Sequence, residues 1–336
     1  MLRTQNAILE TRIGKYSRDS VLVTETGRDY CVPDQFNPRV EQAWNDVLAK
    51  ADSLIAQGKR KGRPFSGPLY RLDSHANHDD MMHLALSKTD FKASIGTNWE
   101  AGLHPAYMAE LKSYGQEVSD ERAAFADALA GCAVIETMKD GKPVVIVGVR
   151  SHEQDEYPLS LHVPGTVGNR KAFEEKSLRF DPFQAIVSDV LERELCLTSD
   201  DIQDIYITGL IRNSHTEKPE LTYGIELNPQ IDFDTIRTRR FEKAQMRAEH
   251  FKIMGLGKEE VVNLLNGTQN PNDSSSIDHL PLSEKEKEAI KNHLSEREKL
   301  VVNTNNWWVP PGEIALVLYL ANKGVNIRQE LPYLRF

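Results

Sequence analysis

The sequence predicts an α/β protein, an α/β/α sandwich with a mixed sheet between two layers of helices, preceded by a smaller N-terminal α+β subdomain. Three observations carry that reading. Ala133-Val-Ile-Glu-Thr-Met138 and Val144-Val-Ile-Val-Gly-Val149 flank a turn centred on Asp140-Gly141, a strong hairpin signal. The second arm of that hairpin is almost wholly apolar, as befits a central strand covered on both faces. Asp181-Pro182 then opens an amphipathic helix, with an N-cap acceptor followed by proline at the first helical position. The expected division is 1–125 for the N-terminal unit and 126–336 for the sandwich.

The elements follow in order. Residues 1–36 mix short apolar runs such as Val21-Leu-Val23 with turn residues, and read as strands and loops. Over 38–57, Val40, Ala43, Trp44, Val47, Leu48, Ala51 and Leu54 recur at spacings of three and four, which predicts a helix. The basic stretch Gly58-Lys-Arg-Lys-Gly-Arg-Pro64 reads as an exposed loop, or as a nucleic-acid patch. Gly67–Leu72 and Met82–Ser87 read as strands joined by a polar loop. That loop carries His75, His78, Asp79, Asp80 and His83, either a metal motif or the ordinary polar composition of a hairpin. Helices are expected over 105–114 and over the alanine-rich 121–130.

Beyond the hairpin, Leu159-Ser-Leu-His-Val163 is a strand ending in Pro164-Gly165, and the helix from Asp181 runs to about Leu197. Strands around 205–211 and 221–227 are joined by Arg212-Asn-Ser-His-Thr-Glu-Lys-Pro-Glu220. Residues 232–248 read as helix or loop and 251–254 as a short strand. An exposed loop covers 266–278 and a charged helix 283–300. Pro310-Pro-Gly-Glu opens a very apolar helix over 314–321.

Charge and composition exclude several classes. Lys and Arg number 41 against 50 Asp and Glu, a net charge of −9, which argues against a nucleic-acid backbone as main partner. It leaves room for a small phosphorylated ligand. Cys31, Cys132 and Cys196 form no CxxC pair, so neither a disulfide framework nor a common zinc site is expected. There is no apolar leader and no run of 18 apolar residues, so no membrane partner is expected and the cytosol is the expected location. Walker A, G-x-G-x-x-G and G-x-S-x-G motifs are absent.

The helix from Asp181 holds the chemistry. On a wheel at about 100° per residue, Phe183, Ile186, Val187, Val190, Leu191, Leu195 and Leu197 fill one apolar arc, and Asp189, Glu192 and Ser188 fall on the polar side. Glu194 falls inside the apolar arc. A carboxylate there needs a partner, because unpaired burial costs several kcal/mol by order of magnitude. Either an Arg or a backbone donor meets it, or the arc is wider than the true core, or it forms the floor of a polar cleft that holds a cation.

Strand, Pro-Gly loop and a helix of the form x-x-φ-x-x-Glu-x-x-φ resemble a degenerate Nudix box. The wider chain is similar to the UDP-glucose/UDP-galactose pyrophosphatase branch of that superfamily. The similarity rests on Trp44, Gly67–Leu72, Thr89-Asp-Phe, Gly96-Thr-Asn-Trp99, His162-Val-Pro-Gly165, Gly209-Leu-Ile-Arg-Asn213 and the helix 314–319, in that order over 40–324. The resemblance implies Mg²⁺, or Mn²⁺, held by helix carboxylates, water attack on a pyrophosphate, and cleavage of UDP-glucose to UMP and glucose 1-phosphate. It implies catalytic roles for Glu194, Glu192 and Asp189, and metal ligation by Glu194 with Glu220. Arg212, Asn213, Thr97 and Asn98 would contact the substrate.

Two registers fit the box. With Glu194 as its last glutamate, Leu191 and Leu197 take the apolar positions, and Val190 and Arg193 stand where two further acids are usual. Shifted by one, Asp189 and Glu192 become box carboxylates, but Arg193 takes the last-glutamate position and Leu195 the usual glycine. The first is preferred. The loop departs as well, with Gly165-Thr166 in place of Gly-Gly, and Glu174 or Glu175 as the available loop acids. The alternative function is a Nudix-like nucleotide-binding or sensing module that has lost catalysis.

Overall fold

The computed structural model describes residues 7–58, 60, 62–151, 160–167, 179–242, 250–267, 275–297 and 308–334. The first half holds β1 (Ala7–Leu9), β2 (Val21–Asp29), α1 (Asn37–Ala56), β3 (Pro68–His78) and β4 (Met81–Asp90). Next comes α2, which is α-helical over Phe91–Ser94, π-helical over Ile95–Trp99 and α-helical over Glu100–Leu103, and then α3 (Pro105–Glu117). The strands β5 (Ala130–Lys139), β6 (Lys142–Arg150), β7 (Leu161–His162) and β8 (Gly165–Val167) precede α4. That helix runs Pro182–Ile186, turns π-helical over Val187–Glu192 and ends with Arg193–Leu195. The remainder is β9 (Ile202–Asn213), β10 (Pro219–Leu227), α5 (Phe233–Glu242), β11 (His250–Leu256), α6 (Lys258–Gly267), α7 (Glu284–Arg297) and α8 (Pro310–Asn322).

Two sheets result. The larger runs β1-β9-β10-β5-β6-β11, with β8 beside β5 and β7 beside β6. It is mixed: β10 and β5 are parallel, and the other pairs antiparallel. The smaller runs β2-β4-β3. The β5–β6 hairpin turns at Asp140 and Gly141, both at positive φ (51° and 74°), the backbone of a type I′ turn. As its composition requires, β6 lies between β5 and β11 and is buried from Val144 to Arg150. One face of the larger sheet packs against α8 and α6 through Val134, Val147, Val261, Leu265, Leu316 and Leu318. The other packs against α4 and the smaller sheet through Ile135, Ile146, Phe183, Ile186, Leu72 and Leu84. No helix among the described residues is long and apolar enough to cross a membrane.

Two expectations need correction, and one element was not anticipated. Residues 121–130 are not a helix. Ala124 to Leu129 are buried on all sides, and their backbone serves β3 instead: Leu72 N–H donates to Asp127 C=O (3.0 Å) and Leu129 N–H to Tyr70 C=O (2.8 Å). Tertiary burial overrides the alanine propensity. The polar loop after Leu72 is strand to its tip, with Asp79 at φ 52° in the turn. Its histidines therefore sit along strands, and no three His, Cys, Asp or Glu side chains converge among the described residues. The helix α6 was not anticipated; it buries Val261, Val262, Leu264 and Leu265. The first strand of the expected 1–125 unit, β1, pairs with β9 in the larger sheet. Of the expected exposed loop 266–278, residues 268–274 lie outside the described residues, while Ser275–Asp278 forms a helical turn whose Ile277 is buried in the core.

Between the sheets lies a charge network centred on Asp127, which has no exposed surface. Arg122 Nε donates to its Oδ2 (2.7 Å), and Arg122 Nη2 bonds its Oδ1. Asn98 Nδ2 donates to Oδ1 (3.2 Å) and Arg212 Nη1 to Oδ2 (3.3 Å). Asp127 N–H donates to Asn98 Oδ1 (3.0 Å). Removing one member of such a network leaves charges buried without compensation. Asp127→Ala should cost about 3–5 kcal/mol, read as a lower denaturant midpoint at unchanged slope.

At the far end of the sheet, Lys323 Nζ donates to Glu226 Oε1 (2.8 Å) and to Glu136 Oε1 (3.1 Å). The Lys323 hydrogen bond holds the Glu226 carboxyl below the ordinary glutamate range. A carboxyl depressed in the folded state stabilises above its unfolded value, about 4.3, and that contribution is lost as pH falls through the folded value. The stability gap between wild type and Glu226→Gln should therefore be present at pH 7 and close below about pH 4, measured by urea titration.

Candidate functional site

The site is built where the β7–β8 loop meets α4. Asp181 caps the helix, its Oδ1 accepting from Phe183 N–H (2.8 Å) and Gln184 N–H (3.2 Å). Tyr223 OH donates to Pro182 C=O (3.0 Å) and fixes the first turn on β10. The helix then widens: Arg193 N–H reaches back five residues to Ser188 C=O. Single π-turns inside α-helices recur at functional sites.

The helix ends at Cys196, which is left-handed at φ 58°, and Leu197 N–H closes onto Leu191 C=O (2.9 Å). In the preferred register Cys196 occupies the position where the box usually has glycine. Among the described residues of this loop and helix, Cys196 is the one at positive φ, the conformation glycine supplies at no steric cost. The backbone thus supports the register in which Glu194 is the last box glutamate.

Glu194 is 4% exposed. Arg240 of α5 packs beside it, its Nε donating to Glu194 C=O (3.0 Å). Burial pulls the Arg240 guanidinium below its ordinary pKa, and the Glu194 carboxylate opposes that shift. Arg240 therefore meets the backbone carbonyl of Glu194 and feels the charge of its carboxylate, which is buried in the apolar arc. Asp189 stands on the other side of the helix, facing β8: its Oδ2 accepts from Thr166 Oγ1 (2.6 Å), and its Oδ1 lies 3.9 Å from Arg193 Nη1. Glu192 is exposed beside them.

Glu220 is elsewhere. It is buried at the start of β10, opposite Ile211 and Ala130. Its neighbours Leu221 and Tyr223 face α4, so strand alternation turns Glu220 toward α8. The structure does not bring Glu194 and Glu220 together. With Arg240 beside Glu194, Arg193 beside Asp189 and Glu220 on the opposite face, the described residues do not fit a preassembled Mg²⁺ site, and no three candidate ligands converge among them. Glu174 and Glu175 lie outside the described residues.

The four expected substrate contacts have internal partners. Thr97 Oγ1 donates to Ala93 C=O (2.8 Å) and accepts from Ala126 N–H (3.0 Å). Asn98 spans Asp127 and Thr216 C=O (3.1 Å). Arg212 pairs with Glu10 (2.7 Å) and donates to Glu217 C=O (2.7 Å). Asn213 Oδ1 caps the following turn, accepting from His215 N–H (2.9 Å) and Thr216 N–H (3.3 Å). The conspicuous Gly96-Thr-Asn-Trp99 segment is a packing device as well, for a Cβ on Gly96 would come within 2.6 Å of the Val40 Cα.

Sequence reasoning missed Thr166, Arg240 and His162 as site neighbours. The signal for Thr166 was its place in the loop at a usual glycine. Arg240 was marked only by the basic run Arg237–Arg240. His162 is wedged between two glycines: a Cβ on Gly312 would fall 2.5 Å from its Nδ1, and one on Gly165 3.2 Å from its Nε2.

No family model matches the chain, and no curated protein matches it. Among solved structures, the NUDIX domain of Shewanella oneidensis NrtR complexed with ADP ribose is similar over 56% of this chain and 98% of that one, at 13% identity and TM-score 0.29. A mutT/nudix family protein from Listeria innocua is similar over 52% of this chain and 95% of its own, at 16% identity and TM-score 0.28. The C. elegans Ap4A hydrolase, in a binary complex, is similar over 51% of this chain and 98% of its own, at 13% identity and TM-score 0.26.

Proposed function

We propose that this chain is a Nudix-like protein that acts on the diphosphate of a nucleoside-diphosphate derivative. The finer reading is a UDP-glucose-like nucleotide sugar cleaved to UMP and sugar 1-phosphate. The observation that carries the proposal is the retained frame: strand, Pro-Gly loop and capped helix, with left-handed Cys196 at the glycine position and Glu194 two residues before it. In this frame Asp189, held by Thr166, is the carboxylate at the edge of the loop.

The reaction joins a water oxygen to one phosphorus and breaks that atom's bond to the bridging oxygen. The bridging oxygen leaves with the other phosphoryl group, and the water proton passes to Asp189 and then to product phosphate. Thr166 orients the Asp189 carboxylate, and the exposed Arg193 is placed to meet phosphate oxygens, since a guanidinium forks onto them. Glu192 lines the open rim. Glu194, beside Arg240, anchors the helix end. With their internal partners, Thr97, Asn98, Arg212 and Asn213 form the framework in this reading.

A second reading, a nucleotide-binding module without turnover, is favoured by one observation: Arg193 stands at an acid position beside Asp189, and no three acids converge among the described residues. Incubation with UDP-glucose and detection of UMP separates the two. On the first reading Asp189→Asn lowers kcat by about 10²–10⁴. Thr166→Val, which removes the orienting hydroxyl at equal volume, lowers kcat less and costs about 1 kcal/mol of stability. If no nucleoside-diphosphate derivative is cleaved but one raises Tm, the binding module stands. If none is cleaved and none raises Tm, both readings fall.

A further inference from the structure

We propose that this site binds a diphosphate without a divalent cation, with the Arg193 guanidinium in the place that a bridging metal would take. The inference rests on the diphosphate reading above. Three observations converge on Arg193. The left-handed backbone at Cys196 supports the register in which Arg193 immediately precedes the last box glutamate, an acid position in the resembled family. An acid there repels phosphate and requires a metal bridge, whereas a guanidinium pairs with two phosphate oxygens directly.

Second, the cation is available. The Arg193 side chain is 55% exposed, and its contact with Asp189 is long, 3.9 Å. Exposed pairs of this kind contribute little, so Arg193 exchanges the carboxylate for a phosphate at small cost. Asp189 meanwhile keeps its 2.6 Å bond from Thr166. Third, a second arginine stands at the end of the helix: Arg240 donates to the Glu194 carbonyl, and its guanidinium feels the Glu194 carboxylate. A divalent ion approaching Asp189 would meet the Arg193 guanidinium, and the described residues offer it no three-ligand cluster.

The test is calorimetric titration of the full chain with UDP, in EDTA and in Mg²⁺. The expected result is a Kd that differs by less than about twofold between the two buffers. Arg193→Gln should weaken binding at least about tenfold in both. Arg193→Glu, which restores the acid, should weaken it in EDTA and regain it in Mg²⁺. Arg237→Ala, an exposed change on α5, should leave Kd unchanged. Because Arg193 is exposed, the variants should keep the wild-type Tm in the absence of ligand. Binding seen only in Mg²⁺ overturns this inference and leaves the diphosphate reading standing. Wild-type affinity of Arg193→Gln in EDTA overturns the inference too. Absence of UDP binding in both buffers overturns the diphosphate reading itself.

Discussion

A carboxylate shut away from water, Asp127, sets how the parts of this molecule meet. An ionised carboxylate can be buried only if donors surround it. Arg122, Arg212 and Asn98 supply them from the chain just before it, from β9 and from the π-turn of α2. Its backbone is used as fully, with the N–H given to Asn98 and the C=O accepting from Leu72 of β3. To satisfy all of these the residue adopts φ 39°, an uncommon conformation for a non-glycine residue. The smaller sheet, the N-terminal helices and the β9–β10 hairpin are thereby held around one point. The frame beneath α4 inherits its rigidity from that point.

The same point explains what the sequence could and could not reveal. Regular features were legible because local chemistry decides them. Asp140-Gly141 turned the hairpin, Asp181-Pro182 started α4, and the unbroken apolar run of α8 marked a helix buried on every side. The helix expected over 121–130 failed because alanine spacing cannot reveal that backbone groups will be claimed by a distant strand. The site was legible in outline only. Asp189 and Glu194 were visible as charges on the two sides of a wheel, but a uniform 100° wheel cannot show that the helix widens between them. Thr166 and Arg240, which decide what each acid faces, come from other elements. Arg212 and Asn98 read as ligand contacts because polar residues in tight motifs carry no mark of whether their partner is a substrate or a neighbouring strand.

The two π-turns bear on the relation between packing and chemistry. In α2 the wide turn lets Gly96 lie against α1 while Thr97 and Asn98 point inward to the Asp127 network. In α4 it falls between the capped, apolar first turn and the charged end, so that Asp189 reaches β8 while Glu194 reaches α5. One helix thus serves two neighbours on opposite sides. The arrangement sends Asp189 and Glu194 to different neighbours, each with an arginine close by.

The edge strand β1 gives the fold an order in time. Its three residues pair with Ile211–Asn213, and Glu10 just after it meets Arg212 across 202 positions of sequence. Long-range pairings of this kind form late, because the loop they close must first be organised. During synthesis at about 5–20 residues per second, the first strand waits roughly 10–40 s for its partner to be made. Once β9 is made, and until β1 docks on it, its flank is an open edge with unpaired donors and acceptors, the surface through which sheets join wrongly. The short strand β1 is therefore the clasp that closes this edge of the larger sheet, and the chain is most exposed to misassembly just before that clasp engages.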